Sequence, residues 1–318
     1  MAVYTPVEWQ EAERFLQGYG VGPLEGLEPI AQGIENTNFK VRAGGRAYVL
    51  TVFEREPAAS VEQTLRLTLE LARRGVPCPR PLTASGGIAV GAVRGKPAAL
   101  VEFVEGEVVW APGEDHLEAL GRALARLHLA GEDLAFARTG PHLASVLVPL
   151  ARRLAGCLGG EQAPVADLLR EEAAYQEAVP DRGLPGGVVH GDLFLDNVLF
   201  APGRPRVRAL LDFYLAGSGP WLYDLAVVLL DAGWGGRAVV GDRARALLRG
   251  YRALRPVTGE EYAWLPAYLR RAALRFLCLR VERAYVAPDP MAAGRPKDPA
   301  EYADKLRALR TGFGGEGR

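Results

Sequence analysis

Residues 186–214, GGVVHGDLFLDNVLFAPGRPRVRALLDFY, constrain the fold of this chain more than any other stretch. Val188-Val189 and Val198-Leu199-Phe200 are short apolar runs of β-favouring residues, so the segment between them reads as a loop carrying His190, Asp192 and Asn197. Pro202-Gly203 then turns the chain into a further apolar strand that ends at Asp212. Asp and Asn are common turn residues, and turn chemistry accounts for each of them singly. It does not account for an Asp, an Asn and a second Asp, strand-bounded and in this order. That arrangement brings their side chains into one cleft.

Three such side chains suit phosphoryl transfer from ATP. The reaction needs a carboxylate near the attacking hydroxyl and oxygen ligands for magnesium. Asp192 takes the first role in this reading, and Asn197 and Asp212 the second.

HGDLFLDN, followed by LLDFY and Tyr223-Asp224-Leu225-Ala226, resembles the aminoglycoside phosphotransferase and choline kinase superfamily, relatives of the protein kinases. The resemblance is closer to one branch, the bacterial homoserine kinases. It is carried by the opening MAVYT, GIENTNF (33–39), GVPCPRP (75–81), LARLHLAG (124–131), HGDLFLDNVLF (190–200), LDFYLA (211–216), ALRFLCLR (273–280) and RPKDPAEY (295–302), spread over nearly the whole chain. The resemblance implies an α+β, protein-kinase-like two-lobed fold. Residues 1–104 would form a small antiparallel sheet lobe with a hinge at 102–106, and residues 105–318 a mainly helical lobe. It also implies Mg²⁺ and ATP, with L-homoserine as phosphoryl acceptor on the way to threonine. His190 and Asp224 would brace the catalytic loop.

Composition agrees with an ordinary globular enzyme. Lys+Arg and Asp+Glu are equal at 38 each and no long basic run occurs, so neither nucleic acid nor an anionic membrane is indicated as a partner. No apolar stretch is long enough to span a bilayer, and MAVYTPVEWQ lacks a signal-peptide pattern. Cys78, Cys157 and Cys278 lack metal-ligand spacing and read as thiols of a reducing cytoplasm. The pattern sets no oligomeric state.

Along the chain, a helix is expected over Pro6–Tyr19, then strands at 27–31, 38–42 and 48–53, the last two joined by a turn at 43–46. The loop Gly33-Ile34-Glu35-Asn36-Thr37-Asn38 has backbone amides and short polar side chains suited to covering ATP phosphates. In the superfamily the third strand supplies a lysine to those phosphates. Thr51 stands in that place here, as it does in the homoserine-kinase branch, and no lysine occurs between Lys40 and Lys96. Lys40 is the substitute on the neighbouring strand, unless it is a plain hairpin lysine.

Ser60-Val61-Glu62-Gln63 reads as a capping box opening a helix to Arg74, and two strands follow at 88–93 and 98–104. The backbone from Glu102 to Val104 would bind adenine. Leu117, Leu120, Leu124 and Leu127 share one helix face, with His128 a packed, hydrogen-bonded histidine. Two helices broken around 156–164 precede the catalytic stretch, and helices at 222–232 and 241–253 follow it. Thr258-Gly259-Glu260-Glu261 caps another, which Pro266 is expected to kink or split. The tail RPKDPAEYADKLRAL ends in a short helix.

From Phe213 onward there are 17 basic and 11 acidic residues. That balance suits an acceptor with a carboxylate better than a polycationic aminoglycoside or choline. For the carboxylate, Arg280 is the first candidate, placed with Leu269, Ala273 and Phe276 on an apolar helix face, and Arg275 on the more polar side is the second. The alternatives are a same-fold kinase of another alcohol, such as an aminoglycoside, choline or methylthioribose, and a non-catalytic module prompted by the missing lysine.

Overall fold

A computed structural model of the chain describes residues 5–30, 36–84, 87–88, 90–236, 238–288 and 297–311, without the side chain of Ile88. Gly33 and its neighbours 31–35, and residues 295–296 of the RPKDP segment, lie outside the described residues. The chain divides between Glu105 and Gly106 into two compact units.

The first unit is built on an antiparallel sheet. Helix α1 (Trp9–Gln17) precedes β1 (Leu24–Ile30), β2 (Thr37–Ala43) and β3 (Arg46–Val52), and α2 (Ala58–Arg73) follows them. Then come the two-residue strands β4 (Thr83–Ala84) and β5 (Gly87–Ile88), and after them β6 (Gly91–Val93) and β7 (Lys96–Glu102). The large sheet has the order β1-β2-β3-β7-β6, every neighbour antiparallel. Period-two alternation explains its core: Phe39, Val41 and Ala43 of β2 and Leu50 and Val52 of β3 are buried together with Leu16 and Ala12 of α1.

Two local expectations are corrected. Helix α2 starts at Ala58 with Pro57 at the cap, because proline is already fixed at the φ of −62° that a helix entry tolerates. Ser60 sits inside the first turn and donates to Glu56 Oε2 at 2.9 Å, so it caps nothing. The strand expected over 88–93 is two short pieces in different sheets.

The second unit is mainly helical: α3 (Glu114–Ala130), α4 (Ala144–Cys157), α5 (Ala163–Gln176), α6 (Leu222–Asp231), α7 (Gly241–Arg252), α8 (Gly259–Val281) and α9 (Ala300–Arg310). Four short strands interrupt them: β8 (Gly186–Val189), β9 (Val198–Phe200), β10 (Val207–Leu210) and β11 (Gly217–Pro220). β8 pairs with β11 and β9 with β10, both antiparallel. Helix α6 is buried from Leu222 through Leu230, and a helix apolar all round belongs in the interior.

Helices α3 and α7 approach so closely that a Cβ on Gly121 would lie 2.1 Å from the Leu247 carbonyl oxygen, and one on Gly250 1.9 Å from that of Glu118. Only glycine permits this contact, and it brings His128 of α3 within reach of Tyr251 of α7. Thr258 caps α8 reciprocally with Glu261, as its sequence signals. Pro266 does not split that helix, which runs unbroken to Val281. Burial of the helix from Leu265 to Cys278 outweighs the one backbone hydrogen bond a proline removes.

Candidate active site

The catalytic stretch is held from below by one buried carboxylate. Asp224, in the first turn of α6, accepts the backbone amides of His190 at 2.7 Å and Gly191 at 2.9 Å. Gly191 has a φ of +83°, and a Cβ there would lie 2.5 Å from the Leu215 carbonyl oxygen, so this bend in the loop requires glycine. His190 is fully buried and bridges two strand ends: Nδ1 accepts the Asp192 amide at 3.3 Å, which leaves Nε2–H to donate to the Leu211 carbonyl at 2.7 Å. Burial lowers its pKa, in keeping with that neutral tautomer.

Asp224 is itself fixed by a chain of partners. His128 Nε2–H donates to it at 3.1 Å, His128 Nδ1 accepts from the Tyr251 hydroxyl at 2.7 Å, and Arg255 donates to that hydroxyl at 3.2 Å. Arg255 then pairs with Glu261 at 2.9 Å. Burial alone would raise the Asp224 pKa, but the His128 hydrogen bond, the two histidines and the loop amides outweigh it and lower the value. Asp224 is therefore ionised, and its acceptor oxygens match the amides they hold.

Asn197 is oriented by the backbone of Asp192. Its Nδ2 donates to the Asp192 carbonyl at 2.9 Å, so its Oδ1, the oxygen a cation would need, points the other way. The Leu211 amide donates to the Asn197 carbonyl at 2.8 Å, tying the strand before Asp212 to the loop. Asp212 has φ 61° and ψ 68°, a left-handed conformation that costs a non-glycine residue about 1–2 kcal/mol. Strain of this kind collects where a side chain must be aimed for function. An amide oxygen and a carboxylate oxygen are the kind of hard ligands that a divalent cation takes together with water and phosphate.

The residues expected to handle nucleotide lie in the first unit. Thr51 donates to Asn38 Oδ1 at 2.8 Å, and Asn36 Oδ1 accepts the Glu54 amide at 3.3 Å. The Glu102 and Phe103 amides are taken by the Arg80 and Ala47 carbonyls, at 2.9 and 3.2 Å. Val104's amide has no protein partner among the described residues and is the donor this segment offers. Lys40 lies over the Phe103 ring, 4.3 Å from its centre.

Several residues that order the candidate site's neighbours escaped the sequence reading. Glu54 pairs with Lys96 and accepts from Thr37 at 2.6 Å and Thr5 at 3.1 Å, and neither acid nor lysine carries a motif. Asp231 accepts the Leu195 amide at 2.7 Å. It lies seven residues after Asp224, on the same face of α6, and that spacing is the signal that would have found it.

The two arginines also need correction. One terminal nitrogen of Arg280 donates both to Glu301 at 2.7 Å and to the Asp298 carbonyl at 2.8 Å, so its charge is already paired by α9. Arg275 is buried, although the helical wheel puts it on a polar side; here α8 is covered on both faces, and Arg271 is buried beside it.

A β-sheet unit, a helical unit and loops carrying Asp192, Asn197 and Asp212 are consistent with the kinase class of phosphotransferase. The chain belongs to the phosphotransferase enzyme family, whose model matches residues 26–257. It is 40% identical over 313 residues to a homoserine kinase of Xanthobacter autotrophicus, spanning 96% of this chain and 95% of that one. To the homoserine kinase of Methylobacterium radiotolerans it is 39% identical over 308 residues, again covering 96% and 95%. The fold matches that of an amicoumacin kinase solved with AMP-PNP and Ca²⁺, with a TM-score of 0.71 at 17% identity, over 96% of this chain and 92% of that one. No described helix is long and apolar enough to cross a membrane.

Proposed function

We propose that this chain transfers the γ-phosphoryl group of ATP to the hydroxyl of L-homoserine, in the cytoplasm. The observation that carries the chemistry is the Asp224 carboxylate clamping both amides ahead of Asp192, which fixes a single loop geometry. Near-full-length identity of about two residues in five to homoserine kinases supports the acceptor.

Asp192 orients the acceptor hydroxyl and takes its proton as the oxygen attacks the γ-phosphorus and the bond to ADP breaks. Asn197 Oδ1 and Asp212 hold Mg²⁺, which when bound neutralises the phosphate oxygens. Asn36, Thr37, Asn38 and the amides of the 33–38 loop cover the phosphates, Thr51 orders Asn38 among them, and the backbone from Glu102 to Val104 receives adenine.

The test is ADP release with homoserine, serine, choline, methylthioribose and kanamycin, in wild type and Asp192→Asn. Homoserine is expected to give the highest kcat/KM, and Asp192→Asn to lose about 100- to 10,000-fold in kcat with its fold intact. Wild-type turnover in that variant refutes the catalytic role. A better acceptor in the panel refutes the substrate.

A further inference from the structure

Among the described residues the buried or half-buried arginines around α8 mostly have carboxylate partners. Arg255 meets Glu261, Arg270 meets Glu172, and Arg271 meets Asp181 while also donating to Gln176 and to the Val179 carbonyl. Arg275 is only 7% exposed, yet among the described residues its guanidinium has neither a hydrogen bond nor an ion pair. A guanidinium with so little exposure and no protein partner is a costly group for a fold to hold. A partner that arrives with the substrate removes that cost.

Its location suits the reaction. Phe276, the next residue, packs edge-on against Phe194, 4.6 Å between ring centres, and Phe194 lies two residues beyond Asp192. Tyr223 precedes the loop-clamping Asp224; it is fully buried and its hydroxyl has no partner among the described residues. Its ring stacks on His142 at 4.7 Å, and both nitrogens of His142 are likewise buried and unpartnered. The charge of Arg275 reaches both rings, and that of Asp192 reaches the Tyr223 hydroxyl. Two unpartnered polar side chains thus feel the charge of Arg275 near the 190–197 loop; Arg271, which acts on the same two, is already paired with Asp181.

On the reading that the acceptor is homoserine, we infer that Arg275 receives the acceptor's carboxylate in its guanidinium fork and that the Tyr223 hydroxyl donates a further hydrogen bond to it. One permanent cation with neutral donors matches a monoanion, and a planar fork matches a carboxylate bidentately. This makes Arg275 the residue that selects an amino acid over a bare amino alcohol.

The measurement is the ratio of kcat/KM for L-homoserine to that for 3-aminopropan-1-ol, which lacks only the carboxylate. Wild type is expected to prefer homoserine strongly, and Arg275→Gln to lose about 10- to 100-fold of that preference, with the KM for ATP unchanged. Arg275→Lys, which keeps the charge and loses the fork, should recover part of it. A folded Arg275→Gln enzyme with the wild-type preference overturns the assignment and leaves the homoserine reading intact. Failure of wild type to phosphorylate homoserine overturns both. Tyr223→Phe removes only an unpartnered hydroxyl, and it carries the test if Arg275→Gln does not fold. Its preference should drop several-fold, and an undiminished one refutes the pocket.

Discussion

The two carboxylate oxygens of Asp224 divide their work: Oδ1 accepts the Gly191 amide, while Oδ2 accepts the amide of His190 and the ring N–H of His128. Each partner is a donor, so Asp224→Asn replaces one acceptor with an NH₂ group facing an N–H. Removing one side of such a buried, hydrogen-bonded ionic set costs about 3–5 kcal/mol. The expected result is a clearly lower melting temperature and a kcat reduced by orders of magnitude at a nearly unchanged KM for ATP. Thermal melting with steady-state kinetics checks it, and an Asp224→Asn enzyme as stable and as fast as wild type would remove Asp224 from the loop's support.

Asn197 and Asp212 are expected to differ in a magnesium titration. On the proposed reading Asp212 supplies the charged oxygen, from a strained backbone conformation, so Asp212→Ala should abolish turnover at any ATP concentration. Asn197 offers a neutral oxygen, and Asn197→Ala should regain part of its activity in excess Mg²⁺. Equal, magnesium-insensitive losses in both variants would argue against a shared metal.

How much of this was legible beforehand depended on sequence distance. Asp192, Asn197 and Asp212 lie within one strand-loop-strand unit, where spacing alone fixes direction. The Leu117–Leu127 stripe and the Thr258–Glu261 cap are equally local. Asp231 and Leu195 are 36 residues apart, and Glu54 and Lys96 are 42, so no periodicity links them. Arg275 and Arg280 show the limit most clearly. A helical wheel assigns each a face, but only the packed structure reveals that α9 brings Glu301 to Arg280 and nothing comparable to Arg275.

Burial lowers the pKa of His128, His142 and His190, and for His142 the value falls to about 4 from 6.5. Desolvation lowers the His142 value most; Arg271 and Arg275 act in the same direction, and together they outweigh the upward pull of Asp224 and Asp181. Below pH 6.5 the unfolded chain takes up protons that the folded chain refuses, so stability falls as pH falls. For His142 the loss runs from about 6.5 down to about 4 and is on the order of 3 kcal/mol. Asp224, depressed below its ordinary carboxylate value, adds a further loss at still lower pH. Denaturation midpoints between pH 7.5 and 4.5 should decline steadily, and His142→Phe should flatten that decline. An unchanged slope in the variant would exclude His142 as its source.

The place of the missing third-strand lysine is argued best from Lys96. Its ammonium pairs with Glu54 and donates to the Thr5 hydroxyl at 2.8 Å. Glu54 also accepts from Thr37, whose hydroxyl oxygen in turn accepts the Thr5 amide at 3.2 Å, and the Glu54 amide holds Asn36. Asn36 and Thr37 are thus ordered by one partly buried acid. Burial would push the Glu54 carboxyl up, but Lys96, Thr37 and Thr5 outweigh it and hold the pKa below the usual range. Lys40, by contrast, rests over an aromatic face and orders none of these residues. Lys96→Met should therefore raise the KM for ATP several-fold while kcat at saturating ATP falls less, and Lys40→Ala should shift it little. Losing the ammonium should also let Glu54 protonate at higher pH, so the ATP KM of the Lys96→Met enzyme should climb as pH is lowered towards 5 while that of wild type stays flat. A larger effect from Lys40→Ala than from Lys96→Met would return the cationic role to Lys40 and make the Lys96–Glu54 pair a matter of stability alone.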